Sequence, residues 1–416
     1  MKFLLSLAWK NLSRYRKRTV ITAAALAVGL GLYLFMDAWL LGAETESERN
    51  LVWYETSSAR ILHEDYWDER DRLPLKYCIE DPEAVMAKLG EERIPSAPRT
   101  VFSAELVLRK DPFPEDGSLP VRVVALDPEL DDGVFRLGET VEEGRRLRPG
   151  EEGILIGSWL ARDIGAEVGY SLTMITRTRR GYYQTIDAEI VGILNCPNPA
   201  VNKGTAFIPL DTADRYLDME GAVTEINLKF PERRDPDELA AEVESGLVPE
   251  FPGLRVKSWR DLAQDYLAFA SMKKSATNVI LLLVFVIAAV GVSNTMLMAI
   301  NERTRELGMM RALGMKDSRI TLAFLLEAGG IGLIGSVLGV AFGTALSYWI
   351  VTRGVDISGL IGDMDIGYRV QGIFRGAWNP GAMVTAFFFG IVLTVFIGFL
   401  STRRALKRSI TECLYR

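Results

Sequence analysis

Residues 301–318 read Asn-Glu-Arg-Thr-Arg-Glu-Leu-Gly-Met-Met-Arg-Ala-Leu-Gly-Met-Lys-Asp-Ser, a run of helix-forming residues that mixes charge with apolar side chains. The spacing predicts a helix over 302–313, with Gly314 as its stop and Asp317 or Ser318 opening the next helix. Leu307, Met310 and Leu313 fall close together on one face, with Arg303, Arg305, Glu306 and Arg311 around them. Such a helix makes no bonds. It either lies passively in a membrane interface or seats as a peg in a partner's groove.

Bond-making groups are scarce elsewhere. His63 is the sole histidine, which argues against a histidine metal site or a catalytic triad, and Cys78, Cys196 and Cys413 lack metal or redox spacing. Cys78 and Cys196 share one side of the expected topology and could pair, although free thiols are the plainer reading. Carboxylate pairs such as Asp131-Asp132 and Glu142-Glu143 sit in polar runs and are expected to be solvated. No Gly-x-x-x-x-Gly-Lys-Ser/Thr loop occurs, so the chain is expected to bind no nucleotide, cofactor or metal of its own. A membrane-anchored enzyme is the weakest reading.

The elements around the peg are membrane spans. Apolar residues make up 49% of the 416 residues and charged ones 25%, with a mean hydropathy of +0.12, which requires the two kinds to be segregated. Residues 44–271 hold 27 Lys+Arg against 45 Asp+Glu; the remainder holds 21 against 9. A basic remainder rich in apolar runs reads as membrane segments with basic flanks, and the acidic middle argues against a nucleic-acid partner. Four stretches pass the length test for crossing a bilayer: 20–41, 278–300, 320–351 and 382–400. The first is expected to be an uncleaved anchor, because its apolar run exceeds that of a signal peptide. Basic residues crowd 1–19 (Lys10, Arg14, Lys17), 301–319 (Arg303, Arg311, Lys316) and 401–416 (Arg403, Arg404, Lys407), which places all three in the cytoplasm. Both termini then lie inside a multi-pass cytoplasmic-membrane protein, 42–277 forms one large outer domain and 352–381 a short outer loop.

Within the outer domain, strand-like runs at 121–126, 154–156, 171–176, 188–194 and 205–209 alternate with short helical ones at 158–164 and 211–216. Ser158 is a possible helix cap and Gly165 a helix stop, and 225–230 alternates as a half-buried strand should. The fold expected is a mixed α+β domain on four transmembrane helices, joined through helical stalks before the second span and after the first.

The run 302–314 resembles the coupling-helix signature of the MacB/FtsX/Lol-type permeases of ABC transporters. Residues 8–19 are similar to their N-terminal elbow helix, with Phe3, Leu4, Leu7 and Leu12 as its lipid-facing side. Residues 155–169 and 204–210 resemble parts of their outer domain, and Leu326-Glu-Ala328 followed by Gly335, Gly339 and Gly343 resembles their third span. The segment 191–210 and the size of the outer domain look closer to lipoprotein-releasing permeases, whereas the peg looks closer to MacB.

The resemblance implies a MacB-like periplasmic core domain and a non-catalytic permease driven by two copies of a separate cytoplasmic ABC ATPase, which would bind the ATP and Mg. It implies pairing with a second permease, itself or a paralogue. The ATPase would be met through Glu302, Arg303, Arg305, Glu306, Leu307, Met310, Arg311, Leu313 and Gly314. Gly335, Gly339 and Gly343 would let helices approach closely. A lipoprotein, lipid or other amphipathic substrate would be extracted from the membrane, entering beside Met36, Leu40, Ile280 and Val284. Alternatives within the resemblance are FtsX-like activation of an extracytoplasmic hydrolase and MacB-like efflux of peptides or small molecules.

Overall fold

The computed structural model describes residues 10, 13, 14, 16–231, 233–302, 304–356 and 373–407. It divides into two compact units: Met1–Glu44 with Ala270–Val355 and Arg375–Arg416, and Thr45–Phe269 with Asp356–Phe374. Most of the elbow expectation, including Phe3, Leu4, Leu7 and Leu12, lies outside the described residues, as do Arg303, Cys413 and most of the 352–381 loop.

The helix α1 (Arg16–Leu51) enters the second unit at Thr45 and ends in a short π-helical turn. That unit's next elements are β1 (Ala59–His63), α2 (Tyr66–Glu69), α3 (Pro82–Glu91), β2 (Ser96–Leu108), β3 (Gly117–Leu126) and α4 (Pro128–Val134). There follow β4 (Val141–Gly144), β5 (Gly153–Gly157), α5 (Ser158–Ile164), β6 (Ser171–Arg177), β7 (Tyr183–Leu194) and α6 (Pro199–Gly204). The unit closes with β8 (Thr205–Pro209), α7 (Leu210–Leu217), β9 (Glu225–Leu228), α8 (Pro236–Leu247), β10 (Leu254–Ser258) and α9 (Trp259–Leu262).

The strands form one sheet in the order β10-β1-β9-β2-β3-β8-β5-β7-β4, with β6 pairing both β2 and β7. β3–β8 and β5–β7 are parallel and the other pairs antiparallel. A mixed sheet of this kind can bury both faces, and neighbours in β3 show it. Val123 packs with Phe102, Ile154, Ile186 and Ile208, while Val124 packs with Val101, Leu155, Phe207 and Tyr54 on the opposite face. A separate cluster of Ile61, Val85, Leu89, Ile226 and Val243 fills the space under α3 and α8.

A local rule starts the helices. α3, α4, α6 and α8 each begin at Pro preceded by Asp or Asn, whose side chain accepts a backbone N–H of the first turn. Proline has no N–H to leave unsatisfied there, and the acceptor covers another orphan donor. α5 departs from expectation: Gly157 occupies the cap position without a side-chain cap, and Ser158 is the first helical residue. Gly165 ends that helix at φ +65.

The first unit contains α10 (Gln264–Glu302) from Ala270 onward, α11 (Thr304–Ala312), α12 (Asp317–Thr352) and α13 (Pro380–Leu406), with α1 up to Glu44. Among the described residues, three helices are long and apolar enough to cross a membrane: Thr19–Thr56, Asp317–Thr352 and Pro380–Leu406. The 278–300 stretch lies within α10, whose 39 residues rise about 58 Å, against a hydrocarbon core of about 30 Å. Leu32, Val337, Phe388 and Phe396 are exposed on α1, α12 and α13, while Ala23, Gly335 and Ala386 are buried between them. Large apolar side chains outside and small ones inside are what helices packed in lipid require.

Candidate functional site

The peg helix is α11, trimmed to Thr304–Ala312. Gly314, at φ +85, adopts the left-handed conformation that ends a helix cheaply only at glycine. The Leu313, Gly314 and Met315 N–H groups donate to the Met309, Arg311 and Met310 carbonyls at 2.9, 3.0 and 3.0 Å. The chain therefore turns at once into α12.

Two contacts seat α11 on α12. Arg311 Nε lies 3.1 Å from Asp317 Oδ1, and its Nη2 donates to Oδ2 at 3.4 Å. Met310 and Met315 pack on buried Ile320, together with Phe324 and with Ala405 and Leu406 of α13. The expected face is thereby divided. Met310 turns inward, whereas Leu313, one residue past the helix end, is 88% exposed. Arg305, Met309 and Leu313, spaced by four, make the outward stripe, with Glu302 exposed before it and Glu306 half-buried. The Leu307 side chain lies outside the described residues.

From α11 the contact runs along α12 to α1. A Cβ on Gly335 would meet Leu26 Cδ2 at 2.7 Å, on Gly339 Leu30 Cβ at 2.9 Å, and on Gly343 Leu34 Cβ at 2.8 Å. Two helices thus touch backbone to backbone over more than two turns. On its other side α12 meets α13, where a Cβ on Gly332 would lie 3.1 Å from Ile391 Cα. Glu327 is buried within this bundle. At the far end of α1, Asn379 Nδ2 donates to Asp37 Oδ2 at 2.9 Å while its Oδ1 accepts the Ala382 N–H at 3.1 Å. The Asn379-Pro380 start is a helix-opening signal that hydropathy alone passes over.

Met36 of the expected entry is exposed and Leu40 half-buried; the Ile280 and Val284 side chains lie outside the described residues.

In the second unit, the last turn of α1 and the π-helical turn after it are tied to the loop after β7. Asn50 Nδ2 donates to the Pro197 carbonyl at 3.3 Å, and Asn198 Nδ2 donates to Glu55 Oε2 at 3.0 Å. Arg60 Nη2 reaches the Glu55 carbonyl at 3.1 Å, and its Nη1 pairs with Glu225 Oε2 at 2.9 Å. β9 is consequently buried along its whole length rather than half-buried, because Glu225 faces a guanidinium instead of water. Burial, and next Glu225, push the nearby Tyr66 phenol up to about 12. Asp131, expected in solvent, is 3% exposed and takes two donors from Arg99 at 2.7 and 3.0 Å. Glu142 and Glu143 are exposed. Cys78 and Cys196 are free, buried thiols in separate clusters.

Comparison with known proteins covers both units. A model described as MacB-like periplasmic core domain matches residues 19–245, and one described as FtsX-like permease C-terminal matches residues 278–410. The chain is 25% identical to the lipoprotein-releasing system transmembrane protein LolC of Neisseria meningitidis, over 56% of this chain and 57% of that protein. It is also 25% identical to the macrolide export ATP-binding/permease protein MacB of Hahella chejuensis, over 99% of this chain and 59% of that one. The chain spans about half the length of the curated relatives it matches. Among solved structures it is similar to the periplasmic region of MacB from Actinobacillus actinomycetemcomitans, with 12% identity and a TM-score of 0.34 over 50% of this chain and 92% of that one.

Proposed function

The chain belongs to the MacB/FtsX/Lol family of ABC transporter permeases, and from that premise we propose that it converts ATP hydrolysis by a separate cytoplasmic ATPase into movement of its outer domain. Four spans with both termini in the cytoplasm, 278–300 within α10 being the second of them, would place α11 inside and the second unit outside. Two copies of the ATPase, holding ATP and Mg, would act on this permease paired with itself or a paralogue.

The observation that carries this reading is the seated α11 with its outward stripe of Arg305, Met309 and Leu313. An exposed apolar pair beside a cation suits a partner's groove better than water. A push on that stripe would pass through Arg311–Asp317 and Met310–Ile320 into α12, and through the glycine seam into α1. The Asn50, Glu55 and Arg60 contacts would hand the motion at the end of α1 to β1 and to the loop between β7 and α6.

Extraction of lipoproteins or other lipid-anchored molecules is the substrate reading we favour, supported by the LolC likeness. Efflux of a small molecule or peptide is the second, supported by the equal identity to MacB and its longer coverage. Purification in mild detergent from native cells, followed by mass spectrometry, tests both. An ATPase recovered with a lipoprotein supports extraction; an ATPase with an extracytoplasmic adaptor protein and no lipoprotein turns the choice to efflux. Absence of any ATPase after gentle crosslinking removes the coupling reading altogether.

A further inference from the structure

The second unit is strongly acidic, yet one cleft in it is basic. A cavity of about 600 Å³ opens between β2, β6 and the loop around residues 72–76, lined by Arg72, Lys76, Arg177 and Arg179 against a single carboxylate, Glu105. Two of these cations are spent within the chain: Lys76 Nζ lies 2.8 Å from Glu69 Oε1, and Arg179 pairs with Glu80. The other two are not. Among the described residues Arg72 makes no ion pair, and Arg177 lies over the Tyr183 ring and donates to its hydroxyl at 2.9 Å without meeting a carboxylate.

A buried polar atom points to the same place. Thr178 lines the cleft at 7% exposure, and its Oγ1 has no hydrogen-bond partner. A buried donor left unmade costs about 1–3 kcal/mol, so such atoms mark where a ligand or water belongs. The floor is apolar, with Phe102, Leu75 and Ile175 beside the charges.

We propose that this cleft binds a phosphate group. Two guanidinium forks and a hydroxyl offer more donors than the roughly four lone-pair sites of one carboxylate accept, whereas a phosphate brings three or four oxygens. The apolar floor leaves room for the glycerol or acyl part of a lipid headgroup, while a free phosphate ester would use the forks alone. The site is independent of the transport reading and of the ATPase.

The test uses the full chain in a non-ionic detergent at low ionic strength, titrated calorimetrically with inorganic phosphate, glycerol 1-phosphate and the water-soluble dihexanoyl phosphatidylglycerol. Saturable binding of phosphate is expected. Its weakening by about tenfold or more in Arg72→Glu/Arg177→Glu, through lost charge-assisted hydrogen bonds, would support the site. Both arginines are exposed, and an unchanged circular dichroism melt shows that the fold survives. Glu105→Gln removes the one carboxylate in the lining and should tighten binding. Tighter binding of the lipid than of the two esters assigns a headgroup; equal binding assigns a soluble phosphate. No saturable binding of any probe, or affinities unchanged in the double variant, overturns the proposal.

Discussion

Arg311 and Asp317 face each other across the turn at Gly314, with the guanidinium Nε 3.1 Å from the carboxylate. The arginine that the motif offers to a partner is thereby engaged by the next helix of its own chain. Pairs this exposed contribute only about 0–1 kcal/mol, so the contact sets the angle of α11 more than the stability of the fold.

Arg305→Glu and Leu313→Asp should abolish copurification of the ATPase while leaving the melting temperature unchanged, since both side chains are exposed. Arg311→Glu should also lose the ATPase, but the exchanged pair Arg311→Glu/Asp317→Arg should recover it. If the exchange fails to rescue, Arg311 contacts the partner directly and the brace is incidental.

The glycine seam makes a steric prediction. Gly339→Leu drives a side chain into Leu30 and Ala27 and should destabilise the membrane unit by about 1–3 kcal/mol. Gly291→Ala, in α10 with nothing within 4 Å of its added Cβ, is the matched control. Thermal unfolding in detergent should separate the two; equal melting temperatures would mean that α12 and α1 are not in contact.

Arg99 and Asp131 should behave as a buried pair. Asp131→Ala strands a guanidinium that also lies 3.3 Å from the Phe135 ring centroid, at a cost of about 3–5 kcal/mol. Arg99→Met/Asp131→Leu removes both charges and should regain most of that loss. The exposed pair Arg180–Glu220, though also short at 2.7 Å, should cost about 0–1 kcal/mol when Glu220 is replaced by Ala. Urea titration of the full chain, followed by tryptophan fluorescence, reads all three.

Both second-unit thiols, Cys78 and Cys196, should resist alkylation. Burial pushes Cys78 up to about 11 and Cys196 up to about 12, and only the thiolate reacts. In a Cys413→Ser background, iodoacetamide at pH 8 should label neither until denaturant is added, and the rate should climb only as pH approaches those values. Labelling of both without unfolding would show that the clusters around them open; failure to label in denaturant without reductant would reveal a disulfide.

Much of this was legible in the residues. Alternation in 171–176 marks β6 because one of its faces is core and the other solvent. The spans of α1, α12 and α13 follow from continuous apolar runs. What escaped were charges whose partners lie far along the chain. Asp131 meets Arg99 only where α4 packs on β2, and Glu225 meets Arg60 only once the sheet sets β9 beside β1, so neither pairing is written in the local sequence. The division of the α11 face escaped for a different reason, since it depends on the turn at Gly314 and not on helical periodicity. The Asp-Pro and Asn-Pro helix starts, by contrast, are local signals that the residues alone carry.

The glycine seam also bears on how the chain is made. Ala27 leaves the ribosome roughly 300 residues before Gly339, its packing partner, so at about 5–20 residues per second the first helix waits some 15–60 s for it. Throughout that interval its small-residue face has only lipid, or another protein, to lie against. Nascent chains arrested before residue 335 should therefore crosslink from position 27 to insertion factors, and chains released at full length should not. Crosslinking that persists after release would mean that the seam closes by some later event.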